Sequence, residues 1–226
     1  MSVAVASNFR ETLLKLQPLF EEASGHRLII SAGSTGLLYA QIRQGAPFEV
    51  LLAADRETPA ALAAAGLVTT DNIATYAQGR LALVSRTCPN GVAQLPVRES
   101  PVRIAIANPR VAPYGRAASA ALARLHQDAS SPPQIAQATN VAAAYAVFVS
   151  GAVDAALVAN SLLVNAPASS CRASEIPAQW HPPLDQDVAL LKRAEQNPAA
   201  RAFLEFLLSA PAQRLIAQNG YGTQSP

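Results

Sequence analysis

Charge is scarce in this sequence. Asp, Glu, Lys and Arg make up 14% of its 226 residues, against about 25% in an ordinary soluble domain. Half of the residues are hydrophobic, so the composition is that of a chain with a folded core and not of a disordered tail. Seventeen basic residues oppose fifteen acidic ones, and no block of Lys or Arg occurs. The electrostatic footprint of a nucleic-acid binder is therefore missing, and no nucleic-acid partner is expected. Long apolar runs are missing too: the stretch from Ile135 to Val164 is broken by Asn140, Asp154 and Asn160, short of the roughly 20 residues a bilayer-spanning helix needs. The chain reads as a soluble monomer without membrane insertion.

Cysteine is limited to Cys88 and Cys171, without C-x-x-C spacing, which excludes the common thiolate metal and redox motifs. Two readings stand: a Cys88–Cys171 disulfide, which needs an oxidising compartment, and two buried free thiols. No basic segment and no small-residue cleavage site precede the first apolar strand, so no leader is expected here, leaving a cytoplasmic chain or a mature exported one. Catalytic constellations are lacking as well. His26, His126 and His181 are scattered, with no G-x-S-x-G elbow and no H-x-x-x-H pair. Asp55 follows a buried-type strand, where a catalytic carboxylate and a helix cap are both readings. Asp154 sits in a turn beside Gly151, and Trp180 and Tyr221 read as loop packing or hinge cover. No enzyme, cofactor or metal cation is expected.

What the sequence does have is alternation. Short apolar runs of strand type alternate with helical patterns almost throughout, which predicts an α/β class with mainly parallel sheets. Strands are expected over 3–6, 27–31 and 50–53, with helices after each; Phe9, Leu13, Leu16, Leu19 and Phe20 recur at the spacing of a buried helical stripe. A second set has strands over 80–85, 103–107, 134–138, 155–158 and 175–178, with helices over 116–125 and 141–150. A strand over 188–191 and helices over 199–208 and 212–219 follow. This order predicts two lobes, 1–79 with 189–226 and 80–188, joined by hinge crossings near 76–83 and 185–191.

Four strand-to-helix switches carry small hydroxyl or amide residues: Ser7-Asn8, Ser34-Thr35-Gly36, Pro113-Tyr114-Gly115 and Thr139-Asn140-Val141. A helix start offers unpaired N–H groups and the positive end of the macrodipole, which favour an anion. Taken singly each is an ordinary cap, and Asn8 with Glu11 fits a capping box; their convergence on one ligand is the functional reading. Gly33-Ser34-Thr35-Gly36 lacks the lysine of a nucleotide-binding loop. It brings hydroxyls and N–H groups only, a donor set that suits a fully deprotonated oxyanion such as sulfate or molybdate and disfavours phosphate, whose remaining proton needs an acceptor.

The strings Val5-Ala6-Ser7-Asn8-Phe9, Gly33-Ser34-Thr35-Gly36, Tyr39-Ala40-Gln41-Ile42, Gly45-Ala46-Pro47-Phe48, Ala53-Ala54-Asp55, Ile106-Ala107-Asn108-Pro109, Ala112-Pro113-Tyr114-Gly115 and Asn219-Gly220-Tyr221 resemble, in order and spacing, the molybdate-binding proteins of bacterial ABC importers. The resemblance implies a two-lobed periplasmic-binding-protein fold of type II with the ligand in the cleft. It also implies capture of molybdate or tungstate, delivery to a membrane permease, and a periplasmic location for the mature chain. By motif position it implies Ser7, Asn8, Thr35, Tyr114 and Val141 as ligand-binding residues. Ser7 and Thr35 would donate hydroxyl and N–H, Asn8 its N–H or amide, and Tyr114 and Val141 backbone N–H, with Ser34, Gly36 and Asn140 behind them. Relatives often show Ser-Ser where this chain has Ser34-Thr35, and a tyrosine contact found in some falls here on Ala159. The other readings are a receptor for another tetrahedral oxyanion such as sulfate, an anion-sensing domain, and an enzyme acting on a phosphate or sulfate ester.

Overall fold

The computed structural model describes residues 1–86, 102–125, 132–164 and 174–222. In chain order its elements are β1 (Ser2–Ala6), α1 (Arg10–Ser24), β2 (Ile29–Gly33), α2 (Thr35–Arg43), β3 (Val50–Leu52), α3 (Glu57–Ala64), β4 (Val68–Gln78), β5 (Leu81–Ser85), β6 (Arg103–Ala107), α4 (Pro113–Leu125), β7 (Gln134–Ala138), α5 (Val141–Val149), β8 (Ala155–Ala159), β9 (Ser174–Glu175), β10 (Asp185–Leu191), α6 (Pro198–Leu208) and α7 (Ala210–Gln218). They form two compact units, Met1–Gly79 with Asp185–Pro226, and Arg80–Leu184. Each unit is α/β, a five-stranded mixed sheet with its own helices.

In the first unit the strand order is β2-β1-β3-β10-β4, with β1 parallel to β2 and β3, and β10 antiparallel to β3 and β4. Val3, Ala4 and Val5 have no exposed surface, as befits a central strand covered on both faces. Leu13, Leu16 and Phe20 of α1 pack in the core that contains Val3 and Val5, and Phe203, Leu207 and Ile216 of the two C-terminal helices complete it. Leu19 is 45% exposed and does not join this stripe; it lies about 60° around the helix from Leu16, at the rim of the buried arc. Gly25 stops α1 in the left-handed conformation at φ 71°, where its N–H donates to Glu21 O.

Two features of this unit depart from the sequence expectation. β4 is an eleven-residue strand where none is expected, and its Val-Thr-Thr-Asp-Asn-Ile-Ala-Thr run has no clean alternation. It is a sheet edge, held by pairing with β10 from Gln78↔Asp185 to Val68↔Leu191, so a tertiary partner and not local pattern makes it a strand. The same pairing brings the chain back into this unit at Asp185 rather than at residue 189. The polar run Asp185-Gln186-Asp187 hides the start of β10 from a hydrophobicity reading.

In the second unit the order is β7-β6-β8-β5-β9, with β6 parallel to β7 and β8, and β5 antiparallel to β8 and β9. β5 and β8 are buried along their whole length, which explains their unbroken Leu, Ala and Val sequences. The strand expected over 175–178 is only β9, because Pro177 ends it and a 3-10 turn over Ala178–Trp180 follows. Cys88, Cys171 and His126 lie outside the described residues, and with them the question of a disulfide.

Candidate functional site

In the first unit two of the expected switches meet at the C-terminal ends of neighbouring parallel strands, the usual place for a ligand in such sheets. β1 delivers Ser7 and Asn8, and β2 delivers Gly33, Ser34 and Thr35. The Ser7 N–H donates to Gly33 O at 2.9 Å, extending the ladder between the strands. That bond corrects one expectation: the Ser7 N–H is committed to the sheet, so Ser7 offers its hydroxyl.

Asn8 is corrected in the same way. No capping box with Glu11 forms; Phe9 occupies the N-cap of α1 without a side-chain bond, and Glu11 pairs with Arg10. The Asn8 side chain turns inward and donates to Gln186 Oε1 at 2.9 Å and to the Tyr221 hydroxyl at 3.1 Å, while that hydroxyl donates to Asn8 O at 2.7 Å. Phe9 wedges beside it, edge to face with Tyr76 and Tyr221 at centroid distances of 4.8 and 5.3 Å. The Asn8 side-chain amide and its backbone carbonyl are thus both engaged within the first unit.

The loop before α2 carries two buried hydroxyls with different surroundings. Thr35 Oγ1 accepts the Ala54 N–H at 3.1 Å; the bond uses a lone pair and leaves the hydroxyl proton to donate. Ser34 is the N-cap of α2 yet makes no cap bond, and its Oγ is buried without any hydrogen-bond partner. The first donor inside α2 is Leu38, whose N–H meets Ser34 O at 3.0 Å. The amides of Thr35, Gly36 and Leu37 thus precede the helical ladder.

The second unit repeats the arrangement at the ends of β6 and β7. Asn108 organises the turn after β6. Its N–H donates to Ala138 O at 2.7 Å, its carbonyl accepts from Val111 and Ala112, and its Oδ1 accepts the Arg110 N–H at 3.0 Å. α4 then starts at Pro113, three residues ahead of the sequence expectation, which places Tyr114 and Gly115 in its first turn. A Cβ on Gly115 would lie 2.4 Å from Ala107 O, so only glycine lets this turn sit on the end of β6. Asn140 caps α5 by accepting the Ala143 N–H at 2.9 Å, and the Val141 amide stands ahead of that capped donor. Ala159 ends β8, fully buried.

The seven positions Ser7, Asn8, Ser34, Thr35, Tyr114, Asn140 and Val141 carry no ionic side chain. Other candidates take structural roles. Asp55 Oδ1 accepts the Thr58 N–H at 3.0 Å, at the start of α3. Asp154 Oδ2 accepts the Arg103 N–H at 2.9 Å and faces its guanidinium. His181 Nδ1 lies 2.7 Å from Pro182 O. Among the described residues no group of three or more His, Cys, Asp or Glu side chains is placed to hold a metal ion, and no helix is long and apolar enough to cross a membrane. Sequence reasoning missed Tyr76 and Gln186, and took Tyr221 for loop packing or hinge cover. The available signal was a glutamine between two aspartates leading into the apolar run Val188–Leu191.

Comparison with known proteins gives a consistent answer. Residues 1–222 match the family described as bacterial extracellular solute-binding protein. The molybdate-binding protein ModA of Azotobacter vinelandii is 34% identical over 99% of this chain and 90% of its own length. That of Rhodobacter capsulatus is 33% identical over 98% and 87%. The solved structure of the Azotobacter vinelandii periplasmic molybdate-binding protein superposes with a TM-score of 0.89 at 31% identity, covering 100% of both chains. The chain belongs to the bacterial extracellular solute-binding proteins, in the group of these molybdate-binding relatives.

Proposed function

We propose that this protein is the substrate-binding component of a bacterial ABC importer, capturing molybdate, and tungstate with it, in the periplasm and presenting it as a monomer to a membrane permease. The observation that carries the reading is a donor set without carboxylates or cations at the ends of β1, β2, β6 and β7, in a chain that aligns with molybdate-binding relatives over nearly its full length. The Ser7 and Thr35 hydroxyls and the backbone amides of Asn8, Thr35, Tyr114 and Val141 serve one tetrahedral anion. Ser34 Oγ, a buried hydroxyl whose proton has no acceptor, joins them as a further donor. An all-donor set binds a dianion and rejects one that keeps a proton, since that proton would face no acceptor. Size separates molybdate from sulfate, because donors spaced for the larger anion stand too far from the smaller one. Capture needs no chemistry: the anion shifts the protein toward the conformation that binds it better.

The test is thermal unfolding of dialysed, anion-free protein with molybdate, tungstate, sulfate or phosphate at equal concentration. A ligand that binds only the native state raises the midpoint, by about 2.7 kcal/mol of stabilisation at a hundredfold excess over its Kd. Large shifts with molybdate and tungstate and small ones with sulfate and phosphate are expected. A larger shift with sulfate would reassign the receptor to that anion, and no shift with any of the four would overturn the reading.

A further inference from the structure

Gln186 is a fully buried amide in β10, a strand that otherwise runs into the apolar residues Val188, Ala189 and Leu190. Its Oε1 accepts from Asn8 Nδ2 at 2.9 Å and lies 3.0 Å from the Tyr76 hydroxyl, which is also 3.1 Å from Ala53 O. Proton counting fixes the orientation of both amides. The single proton of Tyr221 goes to Asn8 O at 2.7 Å, so the Asn8 side-chain atom 3.1 Å from that hydroxyl must be the donor Nδ2. The second Nδ2 hydrogen then meets Gln186, which must present its oxygen. Tyr76 gives its one proton to one of two acceptors, Gln186 Oε1 or Ala53 O.

The residues in this array come from separated parts of the first unit. Tyr76 is in β4, which leads out of the unit toward Arg80, and Gln186 is the second residue of the segment that returns to it. Ala53 follows β3, and Tyr221 follows α7. Gln186 and Tyr221 bond Asn8 directly, with Tyr76 and Ala53 behind Gln186, and the Asn8 backbone is one of the proposed anion donors. An apolar side chain at 186 would fill the same space with less desolvation; what the amide adds is a fixed hydrogen-bond geometry.

We propose that Gln186 is a positioning residue for anion capture: its side-chain oxygen, supported by Tyr76, holds the Asn8 amide and thereby sets the Ser7–Asn8 turn against the two strands that link the units. This rests on the anion-binding reading above. In this role Gln186 acts through Asn8.

The test is a double-mutant cycle on molybdate affinity, by titration calorimetry with Asn8→Ala, Gln186→Met and the double variant. Each single change is expected to weaken binding about tenfold, and the double change no more than the weaker single variant, because residues in one network do not add. Additive losses approaching a hundredfold, or wild-type affinity in Gln186→Met, would overturn the proposal. Should Gln186→Met not fold, Tyr76→Phe takes its place in the cycle. It removes one of the two hydroxyl and amide contacts on Oε1 and is expected to give a smaller loss that vanishes in the Asn8→Ala background; a loss that persists there overturns the proposal. Wild-type protein that binds no molybdate would instead remove the reading on which the proposal stands.

Discussion

Thr35 Oγ1 accepts the backbone N–H of Ala54 at 3.1 Å in a buried setting, so one hydroxyl ties the start of α2 to the end of β3. Thr35→Val would strand that N–H, at a stability loss of about 1–3 kcal/mol in the anion-free protein, and would also shrink the molybdate-induced rise in midpoint. Thr35→Ser keeps the acceptor and should retain both. Thermal unfolding with and without molybdate measures both effects, and a valine variant as stable as wild type would contradict the role of the bond.

Ser34 predicts the opposite sign for stability. Its Oγ is buried and unpartnered, so Ser34→Ala removes a desolvated hydroxyl that gains nothing in the free protein. The anion-free variant should melt no lower than wild type, while its stabilisation by molybdate falls, because the anion is the acceptor that the hydroxyl otherwise lacks. A lower midpoint without anion would mean that the hydroxyl serves the fold.

Gly115 is set by backbone proximity. Its missing Cβ would lie 2.4 Å from Ala107 O and 2.8 Å from Asn108 C, both main-chain atoms with little freedom to move. Gly115→Ala should destabilise by about 3 kcal/mol and displace the first turn of α4, weakening anion binding in parallel. Chemical denaturation together with a molybdate titration of the folded fraction checks this; an alanine variant of wild-type stability would refute the close approach.

Acid stability contains one legible contribution. Glu21 Oε1 accepts from Gln17 Nε2 at 2.7 Å and from the Leu28 N–H at 3.0 Å, and these bonds hold its carboxyl below the ordinary value of 4.5. A pKa lowered by folding stabilises the native state above about pH 4.5, and the benefit is lost as pH falls through the lowered value. Glu21→Gln should therefore melt below wild type at neutral pH, with the gap closing under acid conditions. Midpoints measured across the acid range test it, and a gap that stays constant would exclude the carboxylate as its source.

The α/β class, the parallel pairs that present the site and the four strand-to-helix switches were legible in the sequence, because apolar periodicity, Gly stops and small polar caps are local signals. Thr35 could be located but its acceptor role could not, since Ala54 lies beyond the end of another strand, β3. Asn8 read as a helix cap and, by resemblance, as a ligand donor, while the bonds that hold its side chain come from Gln186 and Tyr221 at the far end of the chain. β4 escaped notice for a related reason: as an edge it has little burial pattern, and its partner β10 is more than a hundred residues away in sequence.

The position of β10 has a consequence for biogenesis. It fills the slot between β3 and β4, so β4 has no hydrogen-bonded neighbour in its sheet until the chain has emerged beyond Asp185, whereas the strands of the second sheet all come from one continuous stretch. During synthesis the second unit is thus able to close first, while the first one waits with a long unpaired edge, the kind of surface that holdases and proteases act on.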